Sequence, residues 1–154
     1  MPKEIERKFL VASDAWREGA EGERYVQGYL SLEPGRTVRV RVAGERAYLT
    51  IKGKAQGISR SEYEYEIPKA HAEEMLSALC VPPLIDKVRY KVPFAGLTWE
   101  VDVFSGENEG LTVAEVELTE EGQSFEKPSW VGNEVSDDPR YANSHLVRRP
   151  FRSW

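Results

Sequence analysis

Cysteine is nearly absent from this chain, whose 154 residues include only Cys80. A single cysteine excludes an internal disulfide and a zinc site built from several cysteines. Histidine is also scarce, and His71 and His145 are too isolated in the sequence to indicate a metal-binding pair. The sequence therefore gives no support to a metal centre of cysteines or paired histidines.

Long hydrophobic runs are missing as well. No apolar segment approaches the roughly 20 residues that a membrane-spanning helix needs. The opening Met-Pro-Lys-Glu-Ile-Glu has no apolar signal-peptide core. We therefore expect a cytoplasmic protein without a membrane partner.

An excess of positive charge is also lacking, because the formal net charge is −5. No overall field attracts nucleic acid, and we expect no nucleic-acid partner. A polyanion would have to be drawn by local basic clusters, such as the pairs Arg39/Arg41 and Lys87/Arg89.

Charged residues recur at every second position in segments along the whole chain, with apolar residues between them. In a strand, residues two apart share a face, so each segment has one charged and one apolar face. Both signs occur in quantity, which favours a sheet curled so that its charged faces converge. We predict a single β-dominated α+β domain over residues 1–154: a closed or nearly closed barrel with a charged lumen and flanking helices. The segments are Glu4/Glu6/Lys8, Arg39/Arg41, Lys52, Glu62/Glu64/Glu66, Lys87/Arg89, Glu100/Asp102 and Glu115/Glu117.

Secondary structure follows from the same patterns. A short helix or loop is expected over 13–23 and a helix over 69–80, where apolar residues recur at helical spacing. Asp138-Pro139 resembles an N-cap and first helical position for a short helix through Leu146. We predict strands at 3–11, 24–32, 37–42, 47–53, 60–67, 84–93, 97–104 and 111–119.

The charged lumen offers two kinds of ligand chemistry. Mg²⁺ takes oxygen ligands, and the carboxylates that could supply them are Glu4, Glu6, Asp102, Glu115 and Glu117. Forked guanidinium donors and compact ammonium groups hold phosphate oxygens, and the candidates are Lys8, Arg39, Arg41, Lys52, Lys87 and Arg89. The alternative is a set of solvated sheet faces joined by cross-strand ion pairs, each contributing only about 0.2–1 kcal/mol. The length of the ordered array favours a binding site.

The order of these motifs resembles the CYTH superfamily, also called triphosphate tunnel metalloenzymes. The resemblance begins with the ExExK opening at 4–8 and extends over roughly residues 3–145. It includes Arg-x-Arg at 39–41, Leu-Thr-Ile-Lys at 49–52, Glu-Tyr-Glu at 62–64, Lys-x-Arg at 87–89, Glu-x-Asp at 100–102 and Glu-x-Glu at 115–117. The length and the Asp-x-Arg-Tyr-x-Asn segment at 138–143 look most like the compact bacterial branch.

The resemblance implies an antiparallel eight-stranded tunnel that depends on Mg²⁺ or Mn²⁺ and acts on a substrate bearing a triphosphate. It places Glu62 and Glu64 inside the tunnel. Tyr29 could help Lys8 to position a water molecule, or it could be a core residue with a hydrogen-bonded hydroxyl. Relatives are often dimers, so a homodimer is one expectation.

We therefore predict hydrolysis of inorganic triphosphate to pyrophosphate and phosphate, with nucleoside triphosphates as further substrates. The sequence contains no serine nucleophile elbow and no Walker-type glycine loop, so direct attack by activated water is favoured over a covalent intermediate. The enzyme alternatives are a class IV-type adenylyl cyclase and a thiamine triphosphatase. The non-enzyme alternative is a polyphosphate-binding module, which would not need the carboxylates.

Overall fold

Eight antiparallel strands close into a barrel in the computed structural model, which describes residues 2–154. Each strand pairs with its neighbours in the order β1-β5-β4-β3-β2-β6-β7-β8, and β8 returns to β1. The predicted strand-dominated barrel is confirmed. The strands are β1 (Lys3–Val11), β2 (Gly22–Glu33), β3 (Arg36–Ala43), β4 (Arg46–Gly53), β5 (Ser59–Ile67), β6 (Val81–Phe94), β7 (Leu97–Phe104) and β8 (Thr112–Glu117).

The first strand closes the barrel because it pairs along both of its edges. Residues Lys3–Ile5 pair with β5 on one edge, and residues Glu6–Leu10 pair with β8 on the other. A ninth strand, β9 (Val131–Glu134), pairs with the remainder of the first edge near Phe9 and Val11. The long β1 therefore joins the start of the chain to three later strands.

The outer face of the barrel carries the hydrophobic core. Phe9 of β1 and Trp99 of β7 are fully buried there, and Trp16 and Trp130 from connecting segments cover them. On another side, helix α1 (Lys69–Ala78) packs Ala72 against the outer faces of β3 and β4. This covering explains how the inward face of each strand can be polar without exposing the apolar one.

The C-terminal segment closes one end of the barrel. It consists of a 3₁₀ turn (Pro139–Tyr141) and helix α2 (Asn143–Arg148). Its buried residues pack with Ile85, Phe104 and Val113, each two residues along a strand from a charged lumen position. The charged lumen therefore ends in an apolar floor at this end.

Most element bounds lie within two residues of the sequence predictions, and three differences are larger. The predicted helix through Leu146 is confirmed but broken into a 3₁₀ turn and α2, with the Asp138 carboxylate accepting a hydrogen bond from the Arg140 N–H as an N-cap. Strand β6 begins at Val81, ahead of the predicted 84. The sequence pattern places the start after Pro82 and Pro83 because proline has no N–H to donate, but the strand includes both. Strand β9 was not predicted, since its four residues lack the charged alternation. Within residues 2–154, no helix is long and apolar enough to cross a membrane.

Replacing Leu146 with alanine tests how firmly the C-terminal segment is attached. Leu146 is fully buried in the apolar floor. We expect Leu146→Ala to lower the free energy of unfolding by about 2–5 kcal/mol, because it removes buried methyl groups and leaves a cavity. Denaturant unfolding measures this. Arg149→Ala, at an exposed position of the same segment, should change stability by less than about 0.5 kcal/mol, and equal effects of the two variants would contradict the packing described.

Candidate active site

A cavity of about 310 Å³ lies in the barrel lumen. Its volume is at the lower end of the range of roughly 300–1,000 Å³ for small-molecule sites. The strands place every residue of the predicted site in its wall except Asp102. The predicted cations Lys8, Arg39, Arg41, Lys52, Lys87 and Arg89 therefore face the same space as Glu4, Glu6, Glu62, Glu64, Glu115 and Glu117.

Arginine side chains form one wall of the cavity. Arg41 donates a hydrogen bond from Nε to Gln27 Oε1 at 2.9 Å, and its guanidinium lies 4.7 Å from the centre of the Tyr25 ring. Burial and the neighbouring Arg39 and Arg89 charges lower the pKa of Arg41 to about 10. The buried Nε of Arg39 has no hydrogen-bond partner among residues 2–154. This wall has more positive charge than the surrounding protein compensates, which suits an anion.

Asp102 is the exception, because it lies behind this wall with 1% of its surface exposed. One carboxylate oxygen accepts from Arg89 Nε at 2.7 Å, and the other accepts from Lys87 Nζ at 2.7 Å and from Arg89 Nη2 at 2.9 Å. Although burial opposes it, the charges of Lys87 and Arg89 hold the pKa of Asp102 well below its usual range. Asp102 thus anchors two cations. Both oxygens of Asp102 already accept hydrogen bonds, and its role as a metal ligand stays a prediction.

For Lys87, the lysine that binds Asp102, burial has a larger effect than the attraction of the opposite charge. It lowers the pKa of Lys87 to about 7, and the nearby Arg89 and Arg41 charges act in the same direction, against the attraction of Asp102. Asp102 and Arg89 therefore stay charged, and Lys87 is the member of this group that loses its charge most easily.

Carboxylates dominate the opposite wall, where β1 meets β8. Glu6 lies directly across from Glu117, and Glu115 lies directly across from Lys8. The Glu6 carboxylate makes no hydrogen bond or ion pair within residues 2–154, although the Glu6 backbone N–H donates to the Ile58 carbonyl oxygen. Burial and the neighbouring Glu115 and Glu4 charges raise the pKa of Glu6 well above its ordinary value. Carboxylates placed opposite each other are unfavourable. Around Glu6 and Glu117, this wall has less positive charge than its carboxylates need.

A divalent cation would supply the missing charge. Among residues 2–154, no three acidic, histidine or cysteine side chains already form a group that could hold a metal ion. Mg²⁺ does not require one, because it commonly binds through one or two carboxylates together with waters and substrate phosphates. The oxygen donors and the uncompensated charge around Glu6 fit such an ion.

Glu115 is better compensated than Glu6. Lys8 Nζ lies 3.8 Å from one of its oxygens, and Arg89 Nη2 lies 3.9 Å from the other. Although burial opposes it, these two charges lower the pKa of Glu115 to about 2. Glu115 is therefore ionised at neutral pH and lies between the cation wall and the carboxylate wall.

Another charged group occupies the side of the lumen where β1 meets β5. Lys52 Nζ lies 3.0 Å from both oxygens of Glu4 and 3.4 Å from Glu62. Arg60 also reaches Glu4, at 3.5 Å. Burial and the adjacent Glu4 carboxylate raise the pKa of Glu62 to about 7. Glu4 is thus already paired with cations, unlike Glu6.

The apolar floor brings two predicted catalytic residues close to the C-terminal segment. Lys8 Nζ donates to the Tyr141 carbonyl oxygen at 3.1 Å. Tyr29 lines the cavity but packs in the floor with 6% of its surface exposed, and its hydroxyl makes no hydrogen bond within residues 2–154. Core packing accounts for the position of Tyr29, and its catalytic role stays a prediction.

Sequence reasoning missed several residues of the site. Arg60 continues the alternation of Glu62, Glu64 and Glu66, so the same pattern could have identified it. Gln27 and Asn143 are uncharged, and no periodicity marks them. The inward register itself is supported by Arg7, which lies on the outer face of β1 and donates to Glu134 at 2.8 Å.

The fold and this lumen together define a charged tunnel in which a cation-rich wall faces a wall of carboxylates. The chain belongs to the CYTH family, since the CYTH domain matches residues 2–148. Metal dependence is a general property of this family.

Two bacterial relatives match almost the full chain. An inorganic triphosphatase of Acetivibrio thermocellus is 54% identical over 154 residues, covering 100% of this chain and 99% of that protein. One of Nitrosomonas europaea is 38% identical over 153 residues, covering 94% and 96%. A crystal structure of an inorganic triphosphatase superposes with a TM-score of 0.66 at 35% identity, covering 93% of this chain and 96% of that one.

Replacing Glu62 with glutamine tests the electrostatics of this lumen. A folded-state pKa of about 7, above the unfolded value near 4.3, means that protonated Glu62 stabilises the fold below about pH 4 and that this stabilisation is lost as the pH rises through about 7. Glutamine resembles the protonated form at every pH. The melting temperature of Glu62→Gln relative to the original protein should therefore be higher at about pH 8 than at about pH 5.

Thermal melts in chelator at the two pH values measure this difference. Glu66→Gln is the matched control, because Glu66 lies on the same strand at an exposed position. A relative melting temperature of Glu62→Gln that does not change with pH would contradict the raised pKa.

Proposed function

We propose that this protein is a metal-dependent hydrolase that converts inorganic triphosphate to pyrophosphate and phosphate in the barrel lumen. The observation that carries the proposal is one closed-ended cavity in which a cation-rich wall faces a wall of carboxylates. The relatives named inorganic triphosphatases support it.

The cation-rich wall would hold the substrate. Arg39 and Arg41 can each offer forked donors to phosphate oxygens, and Arg89 is held in place by Asp102. An anion bound here would offset the burial and the neighbouring Arg39 and Arg89 charges that lower the pKa of Arg41. Lys8 and Lys52 add ammonium groups on the side of the carboxylates.

The carboxylate wall would hold Mg²⁺ or Mn²⁺ through Glu6 together with Glu115 or Glu117, and water and substrate phosphate oxygens would supply the other ligands. When bound, the ion would neutralise phosphate charge and orient phosphate oxygens. Glu4 would support this wall indirectly, because Lys52 already holds it. Hydrolysis adds one water across a bridging P–O–P linkage, and direct attack of that water is the proposed route.

The aromatic residues of the lumen favour free triphosphate over a nucleotide. The Tyr25 ring is covered by the guanidinium groups of Arg41 and Arg89, whose carbon atoms lie 4.7 and 5.1 Å from its centre. Tyr29 is packed in the apolar floor. Neither ring is therefore free to stack on a base. Within residues 2–154, this leaves Tyr48 as the tyrosine of the cavity wall that could stack on one.

Phosphate release with Mg²⁺, with Mn²⁺ and with chelator tests the metal site. We expect hydrolysis of inorganic triphosphate to stop in chelator and Glu6→Gln to reduce kcat by about 100-fold or more, because glutamine keeps the size but removes the charge that holds the cation. Arg7→Ala, on the outer face of the same strand, should remain active. Full activity of Glu6→Gln at saturating metal would refute the assignment.

The ratio of kcat/KM for inorganic triphosphate to that for ATP tests the substrate. We expect inorganic triphosphate to be favoured by at least about tenfold, because it carries phosphate charge at both ends and the lumen offers little stacking surface to adenine. The assay compares both substrates at matched Mg²⁺. Tyr48→Ala should reduce activity on ATP more than on inorganic triphosphate, whereas an ATP preference of about tenfold would favour a nucleotide-directed enzyme.

A further inference from the structure

An uncharged side chain from the C-terminal segment reaches the cations of the lumen. Asn143 is the first residue of α2 and lines the cavity. Its Oδ1 accepts from Lys87 Nζ at 3.0 Å and from Gln27 Nε2 at 3.1 Å. We propose that Asn143 is a positioning residue that fixes Lys87 directly, and Arg41 through Gln27, for substrate binding. This proposal deepens the proposed function and rests on it.

The direction of the hydrogen bonds follows from the chemistry of the end groups. Arginine can only donate, so Gln27 must present Oε1 to Arg41 Nε, which lies at 2.9 Å. The amide nitrogen of Gln27 then faces Asn143. Lysine also only donates, so Asn143 must present its oxygen to both neighbours. The two amides therefore have one consistent orientation, and neither can rotate without losing a bond.

Burial makes these bonds hard to replace. Gln27 is fully buried, and Lys87 has 1% of its surface exposed. Without Asn143, the Gln27 amide would lose its acceptor and Lys87 would keep only Asp102. An ammonium group has three donors, so with Asp102 and Asn143 occupied one donor is left for a ligand. Removing Asn143 frees Lys87 to turn toward Asp102 alone.

The position of Asn143 is itself fixed by the apolar floor. Tyr141 precedes it in the 3₁₀ turn, and Leu146 and Val147 follow it in α2, all three of them buried in the same cluster. Packing at the closed end thus sets where the acceptor lies. Small displacements of groups that orient a substrate reduce rates strongly. Asn143 can therefore affect the rate of the reaction without contacting the substrate.

Two substitutions separate positioning from simple stability. Asn143→Ala removes the acceptor, and we expect kcat/KM for inorganic triphosphate to fall about 10- to 100-fold. Asn143→Asp keeps an acceptor for both neighbours but adds negative charge, so KM should rise while kcat stays within about threefold of the original. Arg149→Ala, exposed on the same segment, is the control that should retain both constants.

A double-mutant cycle tests the path to Arg41. If Gln27 acts through the same network, Gln27→Ala and Asn143→Ala should be non-additive in kcat/KM, with the double variant close to the worse single variant. Additive losses would show two independent roles and overturn the path. The melting temperature of each variant identifies those that unfold at the assay temperature.

Anion affinity separates this proposal from the proposed function. Calorimetric titration of inorganic triphosphate in chelator measures binding without turnover, and Asn143→Ala should bind at least about fivefold more weakly than the original protein. This comparison holds even if the original protein fails to hydrolyse inorganic triphosphate, which would refute the proposed function alone. Unchanged affinity and kinetics in folded Asn143→Ala would overturn the positioning role, as would a kcat of Asn143→Asp that falls well beyond about threefold below the original. If Asn143→Ala does not fold, the separate KM and kcat effects of Asn143→Asp decide the proposal.

Discussion

Charges of both signs buried in one lumen constrain the rest of this structure. Burying a charge is costly unless it is paired, and removing one partner of a buried pair is strongly destabilising. The group formed by Asp102, Lys87 and Arg89 satisfies this constraint within the protein. The groups around Arg41 and Glu6 do not, because burial and neighbouring like charges both disfavour the charge of each residue. Because the charges of Arg41 and Glu6 are incompletely compensated, the lumen favours binding of an anion together with a cation.

The architecture follows from keeping these charges inside. Each strand turns its charged face to the lumen, so its apolar face must be covered from outside, and Trp16, Trp130 and helix α1 provide that cover. The C-terminal segment covers one open end and adds acceptors, the Tyr141 carbonyl for Lys8 and the Asn143 side chain for Lys87. The same packing that stabilises the barrel therefore also orients its cations.

Much of the barrel and its inward faces could be predicted, because a period of two residues fixes which side chains share a face. The same period does not indicate how deeply a side chain is buried in the barrel wall. Asp102 alternates with Glu100 in sequence, yet one is buried behind the arginines while the other lines the cavity. Strand β9 and Asn143 depend on long-range packing of the C-terminal segment, which local pattern does not encode. The ordered motifs identified the family, and only the coordinates show that Glu4 is already paired while Glu6 is not.

The most direct test of this account is a crystal structure of the protein with Mn²⁺ and inorganic triphosphate, or the pyrophosphate formed from it. Anomalous scattering locates the manganese independently of the protein coordinates. The account predicts a manganese peak beside Glu6, with Glu115 or Glu117 as a further ligand, and phosphate groups against Arg39 and Arg41. A manganese ion outside the lumen, or phosphate bound away from the arginine wall, would contradict it.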